Sequence, residues 1–265
     1  MRVTWLGWAG AELAVGDATA VIDPLEDVAA VFAGLGGEGP VSLPEVVAPS
    51  AGRATVGMVT HLHRDHADAA ALARALADGA PVLEPPAADG QGADDLALMQ
   101  AEQELAAAGL ERRRLDPWQA ADVGPFRITA LPASDGIGDP QVSWLVEADG
   151  RRLVHLGDTC WHGHWWRIAS RVGPIDAALV PVNGAVVSFP HRQPASRMPV
   201  ALDPDAAATA ARILGARLAI PIHAEGYEVA GVYEPVAGAA ARFVDAARTA
   251  GVAARVLAPG ESVEL

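Results

Sequence analysis

Thr55-Val56-Gly57-Met58-Val59-Thr60-His61-Leu62-His63-Arg64-Asp65-His66 decides how this chain is read. Its first half is an apolar run, Thr55 to Thr60, that predicts a buried strand. Beyond it, Ala67 to Ala77 is rich in Ala and Leu and predicts a helix. Three of the chain's eight histidines and one carboxylate therefore fall on a strand-to-helix turn. Side chains from so short a loop can converge on one point. Imidazole with carboxylate is the ligand set favoured by zinc and its first-row neighbours, and a solvated polar loop has no need of histidine at three positions. The turn is read as a metal site.

Composition narrows what such a site can serve. Half of the 265 residues are hydrophobic, enough to bury a sizeable core, and the absence of a linker predicts one domain over residues 1–265. Net charge is −14, and all 19 basic residues are arginine. That balance argues against nucleic acid and against an anionic membrane surface, both of which need basic residues. Cys160 is the only cysteine, so neither a disulfide framework nor a thiolate cage is expected. Met1-Arg2-Val3-Thr4-Trp5-Leu6 does not resemble a signal peptide, and no run is long enough to span a membrane. A soluble cytoplasmic protein acting on a small molecule is expected, with homo-oligomer formation left open.

The rest of the chain alternates strands and helices. Arg2–Leu6, Ala11–Val15 and Ala18–Ile22 read as strands separated by glycine turns, and 26–53 as a Gly- and Pro-rich loop. A short strand at Pro81–Leu83 and an amphipathic helix near 92–108 follow the metal turn. Phe126–Leu131, Gln141–Glu147 and Arg152–Leu156 predict three strands, with a helix starting near Gly163 and a strand at Ala177–Val182. After an irregular 183–202, Asp203-Pro204-Asp205 opens a helix with an Asp cap and Pro at its first position. Strand Leu218–Ile222 and a helix near 235–250 complete the pattern. Strand blocks followed by helices predict two sheets with helices outside.

Polar residues recur where these strands end: Asp23 in Val21-Ile22-Asp23-Pro24, Asp158 in Gly157-Asp158-Thr159, and His223 in Pro221-Ile222-His223. An early Asp, then His-x-His-x-Asp-His, a lone Asp and a final His resemble the metallo-β-lactamase fold superfamily. Gly7-Trp8-Ala9-Gly10, Val21–Pro24, Gly157–Thr159 and Asp203–Ala207 look like its ascorbate-6-phosphate-lactonase-like branch. The resemblance implies an α/β fold, a four-layer αββα sandwich, and two divalent cations, zinc or manganese, with iron an alternative. His61 and His63 would hold the first cation. Asp65, His66 and His223 would hold the second, Asp158 would bridge them, and Asp23 would hydrogen-bond the ligand loop. Asp65 and Asp158 would be the catalytic carboxylates.

Two positions depart from that family. A third histidine usually serves the first metal, but here the segment is Leu131-Pro132-Ala133-Ser134-Asp135-Gly136. Asp135 either ligates there, favouring a harder metal than zinc, or caps a turn before Gly136. Trp8 stands where branch members often carry histidine. With Trp144, Trp161, Trp165 and Trp166 it is either pocket wall or core. His155 should face away from Asp158 across its strand and is read as structural. His162 and His164 follow Asp158 closely enough to meet a substrate, or else start a helix. His191 and Arg192 belong to a segment that is either a substrate-facing or an ordinary surface loop.

The resemblance therefore implies a metal-dependent hydrolase that uses a metal-bound hydroxide on a small ester, lactone or phosphodiester. Two other readings stay open. One is a mononuclear iron oxidoreductase resembling persulfide dioxygenases, with His61, His63 and Asp158 around one iron. The other is a degenerate metal-binding protein.

Overall fold

The computed structural model describes residues 1–32, 42–88 and 95–265. The first part of the chain builds one sheet from β1 (Arg2–Gly7), β2 (Gly10–Val15), β3 (Ala18–Ile22), β4 (Ala54–Met58), β5 (Pro81–Glu84) and β6 (Glu111–Arg114). α1 (Val28–Phe32), α2 (Ala69–Ala75) and α3 (Asp95–Ala107) are inserted between these strands. The second sheet begins with β7 (Ala120–Val123), β8 (Phe126–Pro132), β9 (Val142–Ala148) and β10 (Arg151–His155). It continues with β11 (Ile175–Pro181), β13 (Ala216–Ile222) and β15 (Ala253–Ala254). Between them come α4 (Trp165–Val172), α5 (Pro204–Ile213) and α6 (Ala239–Ala250). A small ribbon pairs β12 (Val186–Val187) with β14 (Tyr233–Glu234), and β16 (Ser262–Glu264) returns to the first sheet beside β1.

Both large sheets have seven strands, in the orders β16-β1-β2-β3-β4-β5-β6 and β15-β13-β11-β10-β9-β8-β7. Meanders pair antiparallel, whereas strands joined through helices, such as β3 with β4 and β11 with β13, pair parallel. Three separate cores show the layering. Leu13, Ile22 and Met58 of the first sheet meet Phe126, Trp144 and Ile220 of the second between the sheets. Leu72, Leu98 and Leu105 seal α2 and α3 onto the first sheet's outer face. Trp165, Ile168, Ala207 and Phe243 do the same for α4, α5 and α6 on the second. This is the expected αββα sandwich. Each fully buried large apolar side chain contributes about 1.5–3 kcal/mol, so the sheet-to-sheet seam, the largest of the three cores among the described residues, contributes the largest share.

Local chemistry follows the sequence closely at the helix starts. Asp203 accepts the Ala206 N–H with Pro204 in the first turn, and Asp68 accepts from Ala70 and Ala71 to start α2. Several expectations need correction. The loop read over 26–53 contains the short α1, and residues 33–41 lie outside the described residues, as do 92–94 of the helix expected near 92–108. β6 and β7 were not expected. β6 is Glu-Arg-Arg-Arg and carries no apolar alternation. It is held by parallel pairing to β5 and by Arg112 and Arg114 on Glu84.

Candidate metal centre

All the polar residues singled out at strand ends sit on one rim of the sandwich. Asp23 follows β3, residues 59–66 follow β4, Asp135 follows β8, Asp158 follows β10 and His223 follows β13. The backbone is strained there. Trp8, Asp23 and His223 have φ of 48°, 44° and 50°, a region that costs a non-glycine residue energy and that recurs at functional sites. Gly157 precedes Asp158 at φ 64°, and a Cβ on it would lie 2.6 Å from Gln141 Nε2 and 3.0 Å from Thr60 Cβ. Only glycine lets the Asp158 loop pass so close to the ligand turn.

The side chains gather into two groups, His61, His63, Asp135 and Asp158, and beside them Asp65, His66 and His223. Within each, the potential ligand atoms lie within 4.8 Å of one another. Hydrogen bonds behind the cluster set the ring tautomers. Buried Asp23 accepts the Thr60 N–H at 2.8 Å, the Thr60 hydroxyl at 2.6 Å and the His66 Nδ1–H at 2.8 Å. Having given its proton to Asp23, the Thr60 oxygen accepts from His61 Nδ1 at 3.1 Å. On the other side, His63 Nε2–H donates to Asp139 at 2.8 Å. The ring nitrogens turned inward, the ones a cation would meet, are His61 Nε2, His63 Nδ1 and His66 Nε2.

Those inward atoms fit a cation. His61 Nε2 and His63 Nδ1 lie 2.9 Å apart and share one proton between them, a proton that a cation held by both nitrogens would displace. His66 Nε2, His223 Nε2 and Asp158 Oδ1 are buried without a hydrogen-bond partner. The electrostatics agree. Burial disfavours a charged His63, yet the Asp139 hydrogen bond and the carboxylates of Asp135 and Asp158 outweigh it and hold the ring up at about 10. For His66, Asp65 and Asp23 likewise overcome burial and raise it to about 9. Burial, reinforced by Asp135, pushes Asp158 up to about 7. The pocket thus stabilises added positive charge among buried carboxylates. Its nitrogen and oxygen donors suit zinc, manganese or iron.

Asp135 caps its turn with one oxygen and keeps the other turned towards the cluster. Its Oδ1 caps a turn, accepting from Ile137 at 2.6 Å and Gly138 at 2.8 Å, while Oδ2 faces His63 Nδ1 at 3.7 Å. Trp8 is both wall and support. Its indole N–H donates to Asp65 at 2.9 Å, and its ring lies 3.8 Å from that of His223. His155 stays apart, donating to the Ala9 carbonyl and accepting from Gly157.

Above the cluster opens a cavity of about 590 Å³, lined by Trp8, Phe32, Phe189, His191, Tyr227 and Tyr233 among others. Trp161, His162, His164 and Trp165 do not line it. Past Asp158 the chain turns away into α4, burying Trp165 completely in the outer core, stacking His162 on it at 3.9 Å and leaving Trp161 44% exposed. Trp144 is also core, its indole N–H bonded to the Val59 carbonyl. Arg192 is not part of the wall either. It donates to the Ile137 carbonyl at 2.7 Å and lies 3.9 Å from Asp139, bracing that loop.

Three residues at the site were not anticipated: Asp139, Asn183 and Tyr233. The Asn183 side-chain NH2 donates to His223 Nδ1 at 2.9 Å and to the Tyr233 hydroxyl at 2.8 Å, so the neutral His223 ring carries its proton on Nε2 and gives it up to hold a cation. Burial and the nearby Asp65 raise Tyr233 well above the usual phenol value, so it stays neutral.

Known proteins resemble this chain in sequence and in fold. A protein from Opitutus terrae described as a UPF0173 metal-dependent hydrolase is 33% identical over 154 residues, 56% of this chain and 58% of that protein. One of the same description from Methanoculleus marisnigri is 26% identical over all of this chain and 97% of its own length. The metallo-β-lactamase fold protein YhfI from Bacillus subtilis superposes with a TM-score of 0.66 at 16% identity, covering 99% of both chains. The family model described as the β-lactamase superfamily domain matches residues 19–224, and with the sandwich and rim cluster in place this chain belongs to that superfamily.

Proposed function

We propose that the protein is a metal-dependent hydrolase acting on a small ester, lactone or phosphodiester. The observation that carries this is the set of inward-turned ring nitrogens and partnerless buried atoms on His61, His63, His66, Asp158 and His223, beneath a cavity. His61, His63, Asp158 and the free face of Asp135 would hold one divalent cation, zinc or manganese, and Asp65, His66 and His223 the other. Two such cations, when bound, supply Lewis acidity and make a shared water acidic enough to attack at neutral pH.

The chain's own groups do the rest. Asp65, held by the Trp8 indole, orients the attacking water and takes its proton. Tyr233 accepts from Asn183, so its own proton is left to donate to the oxygen that gains charge in the substrate. The lactonase-like motifs around Gly7–Gly10 and Gly157–Thr159 support a cyclic ester within that range. The test is hydrolysis of aryl esters, lactones and aryl phosphodiesters by protein loaded with zinc or manganese, before and after chelation. Turnover that chelation abolishes and metal restores is expected. One iron per chain with oxygen consumption and no hydrolysis would favour an oxidoreductase instead.

A further inference from the structure

From the walls of the cavity we infer that this site takes an uncharged, largely apolar carbonyl substrate, and not an anionic phosphodiester. The inference rests on the hydrolase reading and narrows it. Above the metal-ligand groups the wall is made by Trp8, Phe32, Val187, Phe189, Tyr227 and Val232, side chains that bind by burying apolar surface. An anion of fixed charge needs cationic partners at the wall, and this chain has almost none to give. It contains no lysine, and all of its arginines lie in the described residues. Of these, Arg64 alone lines the cavity, and it is drawn to Glu104 at 3.7 Å. The segments 33–41 and 89–94 contain no basic residue, so they cannot supply the missing charge.

The floor does not make up the deficit. Asp23, Asp65, Asp135, Asp139 and Asp158 all lie in or directly behind the cluster. Their five negative charges balance the four positive charges of two divalent cations and the one of Arg192 beside Asp139, so a loaded site presents no net positive field to a phosphate. A neutral carbonyl needs no such field. It requires a polarised oxygen at the floor and apolar surface for its substituents, and the cavity, of a size usual for small ligands, provides both.

The test compares recognition and turnover separately, in zinc-loaded protein. Calorimetric titration with hexanophenone, a neutral ketone, and with diphenyl phosphate should show the ketone binding at least tenfold more tightly. Among p-nitrophenyl acetate, butyrate and hexanoate, kcat/KM should rise roughly threefold per added methylene. Phe189→Arg, in a partly exposed loop, should tighten diphenyl phosphate about tenfold and flatten the chain-length dependence. Equal or tighter binding of diphenyl phosphate to the unaltered protein, or kcat/KM indifferent to chain length, would overturn the inference while leaving a hydrolase standing. Preferential ketone binding without turnover of any ester would instead refute the hydrolase reading and leave the apolar recognition intact.

Discussion

Replacing Asp23 by asparagine changes one atom and reverses one proton. The carboxylate accepts three hydrogen bonds, from the Thr60 N–H, the Thr60 hydroxyl and His66 Nδ1, at 2.6–2.8 Å and fully out of solvent. In Asp23→Asn the amide oxygen keeps the Thr60 N–H. The amide NH2 then faces His66 Nδ1 and must donate to it. That drives the imidazole proton to Nε2, the buried atom turned into the cluster that has no partner of its own. A protonated Nε2 cannot ligate until the proton moves. Loss of such a supporting bond costs 10–100-fold in metal affinity, about 1.4–2.7 kcal/mol. One charged hydrogen bond to a donor is also lost, worth about 1.5–3 kcal/mol, which lowers Tm by roughly 4–10 °C in a chain of this size. Competition titration of zinc against a chromophoric chelator, with a thermal melt of the same samples, measures both. Unchanged zinc affinity together with a lowered Tm would show that Asp23 supports the fold alone and would refute the tautomer argument.

Other substitutions probe separate links. Asp135→Asn keeps the oxygen that caps the Ile137–Gly138 turn but removes the charge facing His63, so metal content at the first group should fall with little loss of Tm, as read by elemental analysis and melting. Tyr233→Phe should leave metal content intact and lower kcat about 10²-fold with little change in KM, the loss expected for one donor to a developing oxyanion. Burial and His164 push His162 down to about 4, against about 6.5 for an unfolded chain. The unfolded state therefore binds the extra proton, and stability is lost as pH falls from about 6.5 towards 4. The loss should be roughly 1–2 kcal/mol, less than the full shift implies because the ring borders solvent. Tm measured across that range should fall less steeply in His162→Phe, which keeps the stack on Trp165.

The sequence reading succeeded where chemistry is local. Apolar runs at 18–22, 55–60 and 218–222 became strands over 18–22, 54–58 and 216–222, and Asp203-Pro204 started its helix, because period and capping act within a few residues. The rim residues were legible for the same reason, since each directly follows such a strand. What escaped was set by distance along the chain. Asp139 meets His63 across 76 residues and Asn183 meets His223 across 40, and neither carries a motif. The converse error came from treating nearness in sequence as nearness in space. Trp161 to Trp165 stand only a few residues past Asp158, but the turn into α4 carries them to the sandwich's outer face. β6 was missed because backbone pairing and salt bridges, not apolar alternation, hold it.

The central claim is that the rim cluster is two adjoining cation sites. Anomalous diffraction from crystals grown with zinc or manganese, with elemental analysis of the same preparation, tests it most directly. Two cations per chain are predicted, one touching His61, His63 and Asp158 and the other touching Asp65, His66 and His223. Crystals with no anomalous peak among these six side chains at saturating metal would contradict the account.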